Sequence, residues 1–359
     1  MSRSTVARVD LDALRSNYRL ASERAGPARA MAVIKADGYG HGIAQVASAL
    51  ADLAPKYAVA SLQEAQAVRA SGQHQPVVLL QGPHAPADLD VAAEQGFEPV
   101  LHSGQQLDWL DASASKARFW LKVNTGMNRL GFAPTDLASV MSRLEAMGAK
   151  RNLLGFVTHF ACADDESDSM TARQTATFLE ATSAWPEYMR SVGNSAAHFF
   201  PGQPLFDWSR PGIMLYGGSP MMGRTGPELD LKPVMSLEAQ LIATRTLRKG
   251  EAVGYGAGFV ADREMRMGMV SVGYGDGYPR HAGTGTPAAI RGQRIRLIGR
   301  VSMDMLAVDL SGAPDAAEGD TVELWGATVS VDEVASCAGT ISYELLTGIT
   351  ARVPRLYSR

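Results

Sequence analysis

The chain has 359 residues, of which 46% are hydrophobic and 20% charged, and its formal net charge at pH 7 is −3. A chain of this length buries about three quarters of its unfolded surface and has room for one large domain and a smaller one. The near-neutral balance gives no bulk attraction to nucleic acid or an anionic membrane, so the expected partners are small molecules and other protein chains.

Asp10 reads as the N-cap of a first helix with Leu11, Leu14 and Tyr18 on one side. From Arg29 onward, short apolar and β-branched runs alternate with stretches of helical period, which is the pattern of repeated βα units around a parallel sheet. The candidate strands are 30–35, 57–60, 76–81, 97–101, 117–124, 153–158, 188–192 and 208–215. Between the fifth and sixth, Leu137, Val140, Met141, Leu144 and Met147 recur at three- and four-residue spacing, which gives a helix one apolar face. Eight such units fit a closed (β/α)8 TIM-like barrel better than an open sheet. After Gly217-Gly218-Ser219-Pro220 the rhythm breaks. Short apolar segments at 236–246, 269–273, 295–301, 306–310 and 321–325 then alternate with Gly, Pro and Asp, as in a mostly β C-terminal domain. The expected division is therefore 1–228 and 229–359.

In such a barrel, reactive side chains stand at the C-terminal ends of the strands. These ends are polar: Lys35 closes the first, Lys122 and Asn124 the fifth and His159 the sixth. Asn194 and Ser195 follow the seventh, and Arg210 and Gly212 lie in the eighth. The stretch Ala32-Val33-Ile34-Lys35-Ala36-Asp37-Gly38-Tyr39-Gly40-His41-Gly42 is the most informative, because a lysine ends an apolar run just before a glycine-rich turn. An amine there is desolvated, which lowers its pKa and frees its lone pair for Schiff-base chemistry; a snorkelling structural lysine is the alternative. The Ser195 and Arg210-Pro211-Gly212-Ile213 segments stand where barrels often bind phosphate. A phosphate-bearing aldehyde cofactor needs both features.

In the second domain, Val253-Gly254-Tyr255-Gly256-Ala257-Gly258-Phe259 lacks the glycine spacing and βαβ context of a dinucleotide fingerprint. Its glycines instead let Tyr255 project from a tight loop, and Tyr274 in Gly273-Tyr274-Gly275 reads the same way. His159, Cys162, Asp164 and Asp165 have no second ligand pair at metal spacing, so no metal is expected. Cys162 and Cys337, the two cysteines, are far apart, which fits a reducing compartment. The opening Met1-Ser2-Arg3-Ser4-Thr5 has no apolar core behind it, and no run reaches the ~20 apolar residues of a membrane span, so the protein reads as cytoplasmic.

Together these motifs resemble the alanine racemase family, pyridoxal 5′-phosphate (PLP) enzymes with a barrel followed by a β domain. The resemblance takes in Val9-Asp10-Leu11-Asp12, the Lys35 peptide, Leu121-Lys122-Val123-Asn124-Thr125-Gly126-Met127-Asn128-Arg129 and Thr158-His159-Phe160. It continues through Asn194-Ser195-Ala196-Ala197, Arg210-Pro211-Gly212-Ile213, the Tyr255 loop, Ser302-Met303-Asp304 and Arg352-Val353-Pro354-Arg355-Leu356-Tyr357.

The resemblance implies that Lys35 carries PLP, that Tyr39, Ser195, Gly212, Ile213 and Tyr357 hold its phosphate, and that Arg210 faces the pyridine nitrogen with His159 beside it. It also implies that Arg129 and Met303 meet the substrate carboxylate, that Tyr274 stands at the entrance, and that Lys122 matches a lysine carbamylated in many members. Asn124 stands where Asp is common. Interconversion of L- and D-alanine needs proton carriers on both faces of Cα, and the resemblance assigns these to Lys35 and Tyr255. A free tyrosine, with a pKa of about 10, needs a shift of roughly 3 units, about 4 kcal/mol, to act as a base at neutral pH. The family further implies a homodimer with shared sites, each Tyr255 serving its partner. The product would supply D-alanine for the cell wall or serve alanine catabolism. A barrel-type PLP decarboxylase and a barrel-only PLP carrier are competing readings that leave the Tyr255 loop unexplained; a broad-specificity racemase is the nearest rival, against which Leu130-Gly131 and Lys122 favour the alanine-selective type.

Overall fold

The computed structural model of the chain describes residues 5–113 and 115–359. Residues 1–4, part of the Met1–Thr5 opening read above, lie outside the described residues.

Parallel pairing runs without interruption from Ala32–Val33 through Tyr57–Val59, Val77–Leu79, Phe97–Leu101, Phe119–Lys122, Leu153–Val157 and Met189–Ser191 to Trp208–Ser209. Trp208–Ser209 in turn pairs with Arg29–Ala30, which is continuous with Ala32–Val33 through Met31, so the sheet closes on its first stave. Backbone bonds alternate to the two sides of this stave: Met31 N donates to Ser209 O and Ala32 N to Lys56 O. The result is the expected eight-stave parallel barrel. Its staves are short and several are apolar and buried along their whole length, as Val77–Leu79 and Leu153–Val157 are. Outer helices lay one apolar face on this wall; Leu137–Ala146 buries Leu137, Val140, Met141 and Leu144, the spacing anticipated from the sequence.

The eighth candidate run, 208–215, is only partly extended. The strand ends at Ser209, and Ile213–Tyr216 winds into a 3-10 turn. Pro211 has no N–H to donate to the ladder, so regular pairing ends there, although its carbonyl still accepts from Val33 N at 3.0 Å.

The other large sheet is antiparallel over most of its length. It runs Met265–Val270, Leu306–Asp309, Gln293–Ile298, Pro287–Ile290, Thr321–Trp325 and Met235–Leu247, and the last also pairs with the first. Two terminal segments join it. Val6–Asp10, which the sequence reading left with the barrel, pairs antiparallel with Met235–Leu247 and parallel with Arg355–Ser358. The alternation of buried Ala7 and Val9 with outward Arg8 is the period-2 signal that this strand carries. Asp10 then caps helix Leu11–Arg24 by accepting from Ala13 N at 2.8 Å, so the chain enters the barrel directly from the β sheet.

Candidate active site

Residues 35–42 leave the first stave in an unusual conformation. Ala36, Asp37, Gly38 and Tyr39 have φ of 52°, 53°, 62° and 52°, one turn of left-handed helix. For the three non-glycine residues this costs roughly 1–2 kcal/mol each, so neighbouring groups must hold the turn. Glu64 does so at one end, accepting from Ala36 N at 2.7 Å and from Ala60 N at 2.7 Å. Asp37 does so at the other, accepting from Ile43 N at 2.8 Å and starting helix Ile43–Ala49. The turn presents Lys35 and Tyr39 to one cavity.

That cavity, of about 1250 Å³, opens at the C-terminal ends of the staves. It is lined by Lys35, Tyr39, Lys122, Arg129, His159, Ser195, Arg210, Gly212 and Ile213, nine of the positions singled out in the sequence. Four of these are cationic, and Glu344 is the one carboxylate among the described lining residues. Such an imbalance fits an anionic occupant. Burial, with Arg129 nearby, lowers the pKa of Lys35, against the opposing pull of Glu64. Burial and the charges of Arg210, Arg129 and Lys35 bring Lys122 down to about 8.

Arg210 is buried and pinned. It donates to Ser191 Oγ at 2.5 Å, Thr158 O at 2.5 Å and Val192 O at 3.2 Å, and reaches His159 Nδ1 at 3.3 Å. Burial lowers it to about 10, which leaves it charged at neutral pH. Gln174 fixes the His159 segment from behind. Its amide donates to His159 O at 2.9 Å and to Thr125 Oγ1 at 3.2 Å, and it accepts from Ala161 N at 2.9 Å. Asn124 turns away from Lys122 into its own loop and accepts from Gly126 N and Asn128 N.

Ser195 Oγ accepts from Gly212 N at 2.7 Å and Met214 N at 3.4 Å, so its own proton is left for an acceptor in the cavity. Gly212 is required by close approach: a Cβ there would collide with the Tyr39 hydroxyl. Serine hydroxyl, tyrosine hydroxyl and a turn N-terminus therefore converge at one point, a suitable cradle for phosphate.

Four of the expected residues are elsewhere. Tyr255, Tyr274 and Met303 lie on the β domain and are 72%, 38% and 53% exposed. They are near one another in the fold: Tyr274 N donates to Ser302 O and Gly275 N to Met303 O, while Gly256, next to Tyr255, lies against Arg300. Tyr357 also stays out of the cavity. It belongs to strand Arg355–Ser358, in register with Val9, and its hydroxyl rests on Gly42 behind the left-handed turn. The terminal tyrosine that does line the cavity is Tyr343, from helix Ser342–Thr347, with its ring 6.1 Å from that of Tyr39. Sequence reasoning missed Tyr343 and Glu64. Glu64 had a signal in the Ser61-Leu62-Gln63-Glu64 capping box, whereas Tyr343 had none.

Two family models match the chain: alanine racemase, N-terminal domain, over residues 9–220, and alanine racemase, C-terminal domain, over residues 234–357. An alanine racemase of Marinobacter nauticus is 66% identical over 357 residues, covering 99% of this chain and all of that one. The crystal structure of the biosynthetic alanine racemase of Pseudomonas aeruginosa, 47% identical, superposes with a TM-score of 0.95 over 99% of this chain and 100% of that one. The alanine racemase of Bartonella henselae with covalently bound pyridoxal phosphate, 30% identical, superposes at 0.89 over 99% of each chain.

Proposed function

Because the chain belongs to the alanine racemase family, and racemises alanine with PLP as its cofactor, we propose that Lys35 and Tyr255 are its two proton carriers and that each site is completed by a second copy of the chain. The observation that carries this reading is a cavity holding Lys35 among anion-binding groups while the glycine-flanked Tyr255 stands 72% exposed on the other domain.

The cofactor, once bound to Lys35, supplies the electron sink that acidifies the α-carbon of alanine. Ser195, Tyr39, Gly212 and Ile213 hold its phosphate, and Tyr343 takes the place first given to Tyr357. Arg210, lining the same cavity, would face its ring nitrogen. A guanidinium only donates and does not surrender its proton near neutral pH, so it keeps the group it faces unprotonated and the sink weak, which suits racemisation over transamination.

Arg129, at the cavity mouth, binds the substrate carboxylate, with Met303 beside it and Tyr274 at the entrance, both from the second copy. The Lys35 amine, its basicity lowered by burial, takes or returns the proton on the D-alanine face; the partner's Tyr255 serves the L-alanine face. The neutral amine of Lys122 adds to carbon dioxide and releases a proton, and the resulting carbamate offsets the positive charge of Arg129 and Arg210.

We place the protein in the cytoplasm, supplying D-alanine for the cell wall. Two separated cysteines and 47% identity to a relative named biosynthetic favour this, and no helix among the described residues is long and apolar enough to cross a membrane. Borohydride reduction of the PLP-loaded protein followed by peptide mapping tests the site. The pyridoxyl group is expected on Lys35, and an adduct on another lysine contradicts the assignment.

A further inference from the structure

We propose that Arg355 is a positioning residue for the cofactor lysine, tying the left-handed turn after Lys35 to the terminal strand of the β domain. This rests on the reading that Lys35 carries PLP.

The turn is held on its barrel side by Glu64 and Asp37, as described. Its far side, Gly40 to Gly42, also meets the other domain's end of the chain. Arg355 Nε donates to Gly40 O at 3.2 Å. The same guanidinium donates through Nη1 to Thr350 O at 2.7 Å and Val353 O at 2.8 Å, and through Nη2 to Ile349 O at 2.7 Å. Four carbonyls from two chain segments thus converge on one planar cation. A fork of fixed N–H directions can satisfy them together, which a lysine ammonium on a flexible stem does not reproduce.

The surroundings leave the turn little freedom to adjust. Gly40 packs so closely on Leu346 O that a Cβ would overlap it, and Gly42 does the same against the Tyr357 hydroxyl. His41 between them is wholly buried; its Nδ1 lies 2.8 Å from Tyr39 O and its ring packs, tilted, against that of Tyr216. Tyr39, the phosphate residue of the turn, therefore sits between its own strained backbone and a neighbour locked from below. Withdrawing Arg355 removes the one charged donor on the Gly40 carbonyl, and the turn is then free to relax away from the geometry that aims Lys35 and Tyr39 into the cavity.

Arg355 touches neither cofactor nor substrate, so its effect must be separated from a general loss of fold. The comparison uses full-length apoenzyme of Arg355→Ala, Arg355→Gln and Arg355→Lys, with Asp332→Asn as reference. Asp332 also links the chain segments after the barrel, accepting from Ser219 N and Gly226 N, but makes no contact with the turn. PLP is titrated into each and the dissociation constant read from absorbance, with apoenzyme Tm measured in parallel.

Loss of a charge-assisted hydrogen bond predicts a PLP dissociation constant roughly 10- to 100-fold higher in Arg355→Ala and Arg355→Gln, with partial recovery in Arg355→Lys. Asp332→Asn is expected to lower Tm and leave PLP affinity within about twofold. If Arg355→Ala does not fold, the Gln and Lys variants carry the same comparison. PLP affinity unchanged in the folded Arg355 variants, or weakened equally by Asp332→Asn, overturns the proposal. An adduct mapped to a lysine other than Lys35 in the wild type instead overturns the reading beneath it.

Discussion

Arg210 Nη2 approaches His159 Nδ1 to 3.3 Å, and because a guanidinium can only donate, that ring nitrogen must accept. His159 is thereby fixed as the neutral Nε2–H tautomer. Burial and the charges of Arg210, Lys122 and Arg129 hold its pKa well below 6.5. Nitrogen-15 NMR of the ring is expected to report a neutral histidine throughout pH 5 to 9. A ring that titrates near its ordinary value contradicts this pairing.

Acid stability follows from two further histidines. Burial brings both His41 and His198 down to about 4, whereas the unfolded chain binds their protons at about 6.5. With the folded pKa below the unfolded one, their contribution is complete above 6.5 and is lost as pH falls toward 4. Each is expected to cost the native state about 2 kcal/mol at pH 5 relative to pH 7. Thermal melts should show a falling Tm across that window, with proton uptake on unfolding; a flat profile is incompatible with two buried neutral rings.

Much of this arrangement is legible in the sequence because a barrel converts strand order into spatial convergence. Once 30–35, 153–158 and 208–215 are read as staves, Lys35, His159 and Arg210 must share one rim, whatever the details of their contacts. The terminal strands were hidden for a physical reason. Val6–Asp10 is short, and its partners lie 226 or more residues away in sequence, so no local pattern assigns it to the β sheet. Tyr357 was named from the resemblance alone, whereas Tyr343, which had no signal in the sequence, is brought to the cavity lining by helix Ser342–Thr347. The left-handed turn had a partial signal in its glycines, but Ala36, Asp37 and Tyr39 are residues that local propensity places elsewhere.

A charged pair lies in the core, away from the cavity lining. Lys56 Nζ meets Glu98 Oε2 at 2.5 Å with both side chains buried, and Trp120 Nε1 donates to the same carboxylate at 3.0 Å. Lys56 also lies 4.8 Å from the centre of the Trp208 ring. Removing one partner strands the other in the core. Lys56→Met is expected to lower unfolding free energy by about 3–5 kcal/mol, and the double variant Lys56→Met with Glu98→Gln to recover part of it. Chemical denaturation measures both. Equal losses in single and double variants contradict the coupling.

Lys122, at about 8, is a neutral nucleophile in a useful fraction of molecules at mildly alkaline pH. Native mass spectrometry in bicarbonate buffer is expected to find one added carbon dioxide per chain, absent in Lys122→Ala. Stripping carbon dioxide should lower kcat/KM and restoring it should recover the loss. An unmodified lysine with full activity rules the carbamate out.

The shared site is tested most directly by complementation. Lys35→Ala and Tyr255→Phe are each expected to be inactive alone, since losing a positioned acid–base group costs about 10²–10⁴-fold or more. Mixed in equal amounts after co-refolding, they form heterodimers in which one of the two sites holds an intact Lys35 and an intact Tyr255. Random pairing then predicts about a quarter of wild-type racemase activity in the mixture. Activity no greater than the sum of the two separate variants contradicts the account.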